Sequence, residues 1–305
     1  MNLLILGAGA YGLALSNILS DKNNVTVYSS LEKEIEELNK THKNEKLFPN
    51  ELPKKIKFIN KIEKEYDIVV IALPTNLIKQ ELIKIKDKIK NSTILVTSKG
   101  VHEGKLPYQI VKEVIKTKNI SVISGPSFAK DMIEKQHITL TLAGTLPLEN
   151  LFNEKYITIE KTKDIIGTEI CGVVKNVYAI GAGILEGMNV STSTKAAYLT
   201  RVINETNEVI KKLKGKEKTI LLSCGIGDTI LTCTSTNSRN FTLGYMIGKK
   251  EDKKQIEDYK NNTTVEGLNS LKELKKMIKI KEFKTIDTIY NIIYNNEKIE
   301  TLKAW

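Results

Sequence analysis

A lysine in an apolar setting is the first residue whose type and position could do chemistry. Lys175 lies in CGVVKNVYAIGAGI, residues 171–184, whose other side chains favour burial. If this stretch is helical, the neighbours one turn away include Cys171 and Tyr178, and none of the residues at those positions carries a carboxylate. One interpretation is a lysine that extends to the surface along its own stem, because charges are rarely buried unpaired. The other is a functional amine that exchanges a proton with a substrate oxygen or stabilises negative charge on it.

A second polar cluster lies in SCGIGDTILTCTSTNSRN, residues 223–240. Ser238, Arg239 and Asn240 together suit a phosphate group, because they combine a planar cationic fork with neutral hydrogen-bond donors. Arg239 is one of only two arginines in the chain. The alternative interpretation is a surface loop whose single cation has no function. Asp228 could orient the lysine ammonium described above, or could cap the helix that TILTC predicts.

The N-terminal stretch LLILGAGAYGLALSNIL has the spacing GxGxxG at Gly7, Gly9 and Gly12. An ordinary strand-to-helix turn could carry this spacing, but here it follows a predicted strand and opens a predicted helix, as dinucleotide binding requires. Gly7 would permit the tight turn, Gly9 the approach of a pyrophosphate, and Gly12 close packing of helix on strand. We therefore expect NAD or NADP, which carries the hydride and leaves the protein to move a proton.

The end of the second predicted strand bears on the choice between NAD and NADP. An acidic residue there would hold the ribose hydroxyls of NAD, but VYSSLEKE has Ser29 and Ser30, with Lys33 nearby. The missing acid tolerates a 2′-phosphate, although the segment has no arginine to bind one. We expect use of both cofactors or a preference for NADP, with Ser30 among the cofactor-binding residues.

Two loops are expected at the carboxyl ends of parallel strands, where ligands bind in sheets of this kind. TSKG, residues 97–100, places Lys99 just past a strand. There it could neutralise a substrate phosphate or, before a glycine, mark the end of a helix. SGPSFAK, residues 124–130, places Gly125 and Ser127 just past another strand.

The first half of the chain alternates short apolar runs with polar helical stretches, which predicts βαβ units and a mostly parallel sheet. The predicted strands are LLILG (3–7), NVTVY (24–28), KKIKFI (54–59), DIVVIAL (67–73), STILVTS (92–98), ISVISG (120–125), ITLTLAG (138–144) and YITIE (156–160). After about residue 164 helical spacing dominates. We expect an α/β fold, with a Rossmann-type, doubly wound dinucleotide-binding domain over residues 1–164 and a mainly α-helical substrate and catalytic domain over residues 165–305.

The net charge of +11 favours anionic partners. A basic module that binds nucleic acid or membrane surfaces is disfavoured, because aromatic residues are only 6% of the chain and no arginine-rich strip is present. Three cysteines without CxxC spacing and three scattered histidines predict a reducing compartment and no metal site. No run of about twenty residues is expected to span a membrane. We therefore expect a cytoplasmic protein.

In order along the chain, GAGAYG, TSKG, SGPSFA, GVVKNVYAIGAG, GIGDTILTCTSTNSRN and VEG resemble segments of the bacterial NAD(P)-dependent glycerol-3-phosphate dehydrogenase family. The glycine spacing is generic, whereas the KN helix and the GDxxxTC…SRN segment are specific. The resemblance covers essentially the whole chain and implies a Rossmann domain followed by a helical domain. It also implies that a cytoplasmic enzyme, often a homodimer, interconverts glycerol 3-phosphate and dihydroxyacetone phosphate for phospholipid synthesis.

The resemblance further implies roles for individual residues. Lys175 would accept a proton in oxidation and donate one in reduction. The residues that would line the substrate are Lys99, Gly125, Ser127, Lys175, Asp228, Ser238, Arg239 and Asn240. Besides the turn glycines and Ser30, the residues that would contact the cofactor are Ala10, Tyr11, Lys99, Ala129, Arg239, Thr264 and Glu266.

The chain departs from the family pattern at two places. Ser30 stands where the family commonly has arginine or histidine, which puts an NADP preference in doubt. Where the family usually reads GxNxKAAL.TRG, this chain has NVSTSTKAAYLTRV, with Val202 in place of the last glycine. These changes could alter substrate packing or turnover. The alternative enzyme is a ketopantoate- or 6-phosphogluconate-type dehydrogenase, against which the SRN and SGPSFA segments argue.

Overall fold

A computed structural model describes residues 1–48 and 50–303, so residues 304 and 305 of the predicted second domain lie outside the described part of the chain. An eight-stranded sheet dominates the first half of the chain, and helices dominate the second half. The predicted α/β class, with a Rossmann-type domain followed by a mainly helical one, is confirmed.

The chain divides into two compact units. The first unit comprises Met1–Lys99 and Pro107–Ile165. The second comprises Gly100–Leu106 and the chain from Ile166 onward. The heptapeptide 100–106 thus belongs with the helices of the second unit, although it lies far from them in the sequence.

The sheet of the first unit contains every strand that the apolar runs predict, most of them shorter than the run itself. The strands are β1 (Asn2–Leu6), β2 (Asn24–Tyr28), β3 (Lys57–Ile59), β4 (Ile68–Ile71), β5 (Thr93–Val96), β6 (Ile120–Ser124), β7 (Ile138–Ala143) and β8 (Ile157–Thr162). Their order is β3-β2-β1-β4-β5-β6-β7-β8. All neighbouring pairs are parallel except β6 and β7, which are antiparallel.

Helices cover both faces of this sheet. They are α1 (Ala10–Leu19), α2 (Glu32–Thr41), α3 (Thr75–Ile89), α4 (Pro107–Ile115) and α5 (Ala129–Ile133). Strand β1 shows how the two faces are filled, because successive side chains of a strand point to opposite faces. Leu3 and Ile5 pack in one apolar cluster with α1 and α2, whereas Leu4 and Leu6 pack in another with α3 and α4. The sheet is therefore doubly wound.

The second unit is mainly α-helical. Its helices are α6 (Ile165–Gly187), α7 (Thr192–Lys212), α8 (Asp228–Thr234), α9 (Arg239–Gly248), α10 (Lys253–Asn262), α11 (Glu266–Met277) and α12 (Lys284–Tyr294). By length and composition α6 could cross a membrane, contrary to the expectation from the sequence. However, 89% of its most apolar 18-residue window is buried, as in the central helix of a folded unit.

Helices α6 and α9 cross at very short range. An added Cβ at Gly183 would lie 2.0 Å from the carbonyl oxygen of Phe241, and one at Gly244 would lie 2.0 Å from that of Ile180. Both helices therefore need glycine where their backbones meet. This crossing fixes the start of α9, with Arg239 and Asn240, against the middle of α6.

Candidate active site

The glycine turn links β1 to α1. Gly7 has φ +113°, which favours glycine, and its N–H donates to the carbonyl oxygen of Tyr28 at 2.9 Å. A Cβ at Gly12 would lie 2.1 Å from the carbonyl oxygen of Gly7, so only glycine lets the helix pack this closely on the turn. Gly9 precedes α1 with φ −70°, a conformation that other residues also adopt.

The packing of the fold does not require glycine at position 9, but the close approach of a bound group would. Apart from Gly9 itself and its chain neighbours, no described atom lies within 4 Å of a Cβ built at Gly9. No described side chain caps the start of α1, and its first turn, from Ala10 through Gly12, carries no acid. The first N–H groups of a helix have no partner inside it and attract anions. The residues present therefore fit the pyrophosphate of a dinucleotide.

A cluster of hydrogen-bonded polar residues lies near this turn in the first unit. The Tyr11 hydroxyl and the Ser127 hydroxyl lie 3.2 Å apart. Ser127 donates to the carbonyl oxygen of Gly125 at 3.1 Å, and Lys99 Nζ donates to the same oxygen at 3.5 Å. Gly125, with φ +154°, could not carry a Cβ, which would lie 2.8 Å from the carbonyl oxygen of Thr139. Four of the residues that the resemblance implies are thus brought together.

Lys99 follows β5 and does not end a helix, so that alternative is wrong. Its carbonyl oxygen accepts a hydrogen bond of 2.9 Å from the hydroxyl of Thr75, the first residue of α3. Ala129, the first residue of α5, is half-buried and packs against the same apolar cluster as α1.

An acidic side chain lies at the end of β2, although it comes from α2 and not from the residues that directly follow the strand. The Ser29 hydroxyl donates to Glu34 Oε2 at 2.7 Å. Glu34 lies in the first turn of α2, five residues after Ser29, so the carboxylate returns to the strand end through the fold. Ser30 itself is exposed. A carboxylate in this region suits ribose hydroxyls and repels a 2′-phosphate.

Lys175 lies on α6 with only 6% of its surface exposed, so the interpretation that it extends to the surface is wrong. Its ammonium donates to Asp228 Oδ1 and, at 3.1 Å, to the hydroxyl of Thr232. Asp228 is 1% exposed and is the first residue of α8 rather than its cap, so the cap interpretation is also wrong. The hydroxyl of Thr232 in turn donates to the carbonyl oxygen of Asp228 at 2.6 Å.

The surroundings of this ion pair are dry. Cys233 lies beside it, 3% exposed, and burial raises the pKa of its thiol to about 12, with the Lys175 charge opposing and the Asp228 charge adding to the shift. A charge in such a place interacts more strongly with a ligand than it would in water. The arrangement can therefore hold an amine close to a carbonyl or hydroxyl oxygen and exchange a proton with it.

A second hydrogen-bond network joins α6, α9 and α11. Asn176 donates to Glu266 Oε2 at 2.9 Å, and its side-chain oxygen accepts from Asn240 at 3.0 Å. Asn240 Oδ1 accepts from the backbone N–H of Gly267 at 2.8 Å. Asn240 and Glu266 are both site residues that the resemblance implies. Each is hydrogen-bonded to Asn176, the residue that follows Lys175.

Ser238 and Arg239 begin α9 rather than lying in a loop. Ser238 caps this helix, because its Oγ accepts from the backbone N–H of Phe241 at 3.3 Å. Arg239 is exposed, and its carbonyl oxygen accepts from the Tyr259 hydroxyl at 3.1 Å. Thr264 is also exposed and lines a cavity of about 340 Å³ together with residues of α10 and α11.

The departures from the family pattern have structural roles. Ser191 caps α7, since its Oγ accepts from the backbone N–H of Thr194 at 3.2 Å. Val202 is fully buried in the apolar cluster of the second unit.

Sequence reasoning missed three residues of these arrangements. Thr232 lies four residues after Asp228 on one helix, a spacing that could have revealed it. The hydrogen bonds of Glu34 to Ser29 and of Asn176 to Glu266 form only in the folded chain. The position of Asn176 in the KN motif was the one sequence signal for it, and Glu34 had none. Within residues 1–48 and 50–303, no group of three or more His, Cys, Asp or Glu residues is arranged to hold a metal ion.

Two family models match the chain. The NAD-dependent glycerol-3-phosphate dehydrogenase N-terminus matches residues 2–147, and the C-terminus of the same family matches residues 164–304. The chain belongs to the NAD-dependent glycerol-3-phosphate dehydrogenase family. The resemblance seen in the sequence is thereby confirmed.

Individual relatives agree with this membership. The chain is 33% identical over 309 residues to a glycerol-3-phosphate dehydrogenase [NAD(P)+] of Clostridium botulinum (strain Alaska E43 / Type E3), with 96% of this chain and 92% of that protein covered. It is 35% identical to the protein of that name from Mesoplasma florum, with 97% and 94% covered. The crystal structure of glycerol-3-phosphate dehydrogenase from Coxiella burnetii gives a TM-score of 0.91 at 25% identity, with 99% and 97% covered.

Proposed function

We propose that this protein of the glycerol-3-phosphate dehydrogenase family interconverts sn-glycerol 3-phosphate and dihydroxyacetone phosphate with NAD or NADP. The observation that carries the proposal is the Lys175 ammonium, which is almost excluded from water and held by Asp228 and Thr232. The names of the relatives support the substrate, and the geometry of Lys175 supports its proposed role in proton transfer.

Residues 1–164 are proposed to bind the dinucleotide and residues 165–305 to carry the substrate chemistry. Gly7, Gly9 and Gly12 would hold the pyrophosphate with the first N–H groups of α1, at Ala10 and Tyr11. The other proposed cofactor contacts are Ser30, Lys99, Ala129, Arg239, Thr264 and Glu266. When bound, the nicotinamide supplies or accepts the hydride.

Lys175 moves the proton that accompanies the hydride. In reduction the ammonium donates a proton to the carbonyl oxygen of dihydroxyacetone phosphate, and its positive charge stabilises the negative charge that develops there. In oxidation the neutral amine accepts the proton of the C2 hydroxyl. Asp228 and Thr232 hold Nζ in place, since each accepts one of its hydrogen bonds.

The phosphate of the substrate is proposed to bind at the start of α9. Arg239 offers a planar fork of donors that fits a phosphate. An amide carries two N–H donors, and the bond to Asn176 uses one of those of Asn240. Ser238 uses its oxygen to cap the helix, which leaves its O–H as a donor. Lys99, Gly125 and Ser127 complete the proposed substrate-binding residues.

The wider cellular role rests on the family resemblance. We propose a cytoplasmic homodimer that supplies glycerol 3-phosphate for phospholipid synthesis. The three cysteines are buried and form no disulfide in the described part of the chain, which supports a reducing compartment.

The experiment that tests the function follows the absorbance of NADH or NADPH with dihydroxyacetone phosphate. Turnover with one or both nicotinamides is expected. Ketopantoate serves as the control substrate, since a ketopantoate-type dehydrogenase was the alternative. Turnover of ketopantoate without turnover of dihydroxyacetone phosphate would contradict the proposal.

A further inference from the structure

One short segment of the first half of the chain folds with the second unit. The chain leaves the first unit after Lys99, contributes Gly100–Leu106 to the second unit, and returns at Pro107. We call Gly100–Leu106 the strap. Its first residue has φ +124°, a conformation that favours glycine, so the chain turns sharply directly after Lys99.

The strap is anchored by burial and by backbone hydrogen bonds. Val101 and Leu106 are 5% and 2% exposed and belong to the apolar cluster of the second unit. Between them, His102 and Lys105 exchange two backbone hydrogen bonds, of 3.0 and 2.9 Å. The strap is therefore a closed loop with both ends in the core of the helical unit.

A carboxylate of α11 accepts a hydrogen bond from the tip of the strap. The backbone N–H of Gly104 donates to Glu273 Oε2 at 3.0 Å, and Glu273 also accepts from Lys276 at 2.6 Å. Partial burial acts to raise the pKa of Glu273, but hydrogen bonds from Lys276 and Gly104 hold this pKa below its ordinary value. Glu273 is thus ionised at neutral pH, and a charged acceptor makes the bond to Gly104 stronger than a neutral one.

The helix that holds the strap also supports the catalytic helix. Glu273 and Glu266 both lie on α11, and Glu266 accepts the hydrogen bond from Asn176, the residue next to Lys175. A continuous path therefore runs from the Lys99 backbone through the strap and α11 to α6. Rigid elements joined by hydrogen bonds can carry coupling of this kind.

We propose that Glu273 is a positioning residue that fixes the Lys99 backbone for substrate binding by holding the strap at Gly104. This inference rests on the proposed function, because it takes Lys99 as a residue that binds the phosphorylated substrate. Glu273 touches neither substrate nor cofactor in this account, and it acts through Gly104.

The first experiment compares three variants by their KM and kcat for dihydroxyacetone phosphate. Glu273→Ala removes the acceptor and raises KM about three- to tenfold, the range expected for the loss of one hydrogen bond. Glu273→Gln keeps a carbonyl oxygen that can accept from Gly104 in a weaker, neutral hydrogen bond, so its KM lies between those of the wild type and Glu273→Ala. Lys276→Ala breaks the ion pair but leaves the bond to Gly104, and its KM is unchanged. Because Lys99 is also a proposed cofactor contact, the Kd for NADH, measured by calorimetry, rises with KM in Glu273→Ala and is unchanged in Lys276→Ala.

A double-mutant cycle distinguishes an effect of Glu273 on the position of Lys99 from a general loss of structure. If Glu273 acts through Lys99, then Lys99→Ala with Glu273→Ala has the KM of Lys99→Ala alone. Hydrogen–deuterium exchange of residues 100–106 checks that the strap opens faster in Glu273→Ala than in Glu273→Gln.

Several results overturn the inference. They are an unchanged KM in Glu273→Ala, additive effects with Lys99→Ala, or an equal effect of Lys276→Ala. In each of these cases wild-type turnover leaves the proposed function intact. If instead the wild type fails to turn over dihydroxyacetone phosphate, the proposed function falls, and the role of Glu273 in substrate binding falls with it.

Discussion

Lys175 can stay charged in a dry place because protein atoms replace its water. Burying an ammonium is costly unless it is paired and hydrogen-bonded, and here Asp228 and Thr232 supply both kinds of contact. Removing one partner of such a pair leaves the other charge uncompensated, at a cost of about 3–5 kcal/mol. Because Lys175 lies on α6 and both partners lie on α8, the packing of these two helices keeps the charges paired.

Arg239 is predicted to act on the phosphate of the substrate. Arg239→Ala should raise the KM for dihydroxyacetone phosphate about ten- to a hundredfold, because charge-assisted hydrogen bonds are lost. The other arginine provides a matched control. Arg201 donates from Nε to the hydroxyl of Thr285 at 2.9 Å, so Arg201→Ala should affect thermal stability and leave KM unchanged. An unchanged KM in Arg239→Ala would count against its assignment.

Glu34 is predicted to influence the choice of nicotinamide. Its carboxylate lies at the end of β2, held by Ser29, where it would repel a 2′-phosphate. Glu34→Gln should therefore tighten NADPH relative to NADH by about fivefold, a modest change because the group is only half-buried. Calorimetric titration with each nucleotide measures the ratio. A ratio equal to that of the wild type would place Glu34 away from the ribose.

At the scale of elements, two glycines of the same turn are predicted to behave in opposite ways. Gly12→Ala should destabilise the protein by about 2 kcal/mol or more, because its Cβ would lie 2.1 Å from the Gly7 carbonyl oxygen. Gly9→Ala should change stability by less than about 0.5 kcal/mol, since beyond the chain neighbours of Gly9 no described atom lies within 4 Å of the added Cβ.

Gly9→Ala should nevertheless weaken NADH binding, since the methyl group would occupy the space proposed for the pyrophosphate. Urea unfolding and calorimetric titration of the two variants give both quantities. Normal NADH affinity in a stable Gly9→Ala variant would show that the turn does not hold the dinucleotide.

The elements themselves could largely be predicted from the sequence. Apolar runs with helical spacers between them predicted all eight strands and the doubly wound sheet, because both faces of a parallel sheet are buried and its strands read as apolar runs. The contacts that complete the site were less accessible. The pairing of Asp228 with Lys175, 53 residues apart, is confirmed as one of the two roles that the sequence offered for Asp228, whereas the contact of Glu34 with Ser29 was not foreseen. The strap joins the second unit through contacts that include those of Val101, Leu106 and Gly104, and no local sequence pattern predicts them.

At the scale of the whole molecule, alkaline pH is predicted to weaken the fold. The pKa of the Cys233 thiol is raised from 9.0 to about 12, chiefly by burial, and burial also raises the pKa values of Tyr178 and Tyr198 well above 10.0. The unfolded chain loses these protons first as pH rises. The corresponding stability is therefore fully present below about pH 9 and is lost as pH rises toward 12.

Urea unfolding over a series of pH values checks this expectation. The free energy of unfolding should fall from about pH 9 upward, and Cys233→Ala should flatten the first part of that fall. A wild-type curve that stays level from about pH 9 to about pH 10.5 would contradict the burial of these groups.

The most direct measurement of the central claim is the turnover of dihydroxyacetone phosphate by Lys175→Ala, with NADH affinity measured on the same preparation. If Lys175 moves the proton, kcat falls by at least about a hundredfold while the Kd for NADH stays within about twofold of the wild-type value. Turnover close to that of the wild type would contradict the account. So would a variant whose loss of activity is explained by lost NADH affinity.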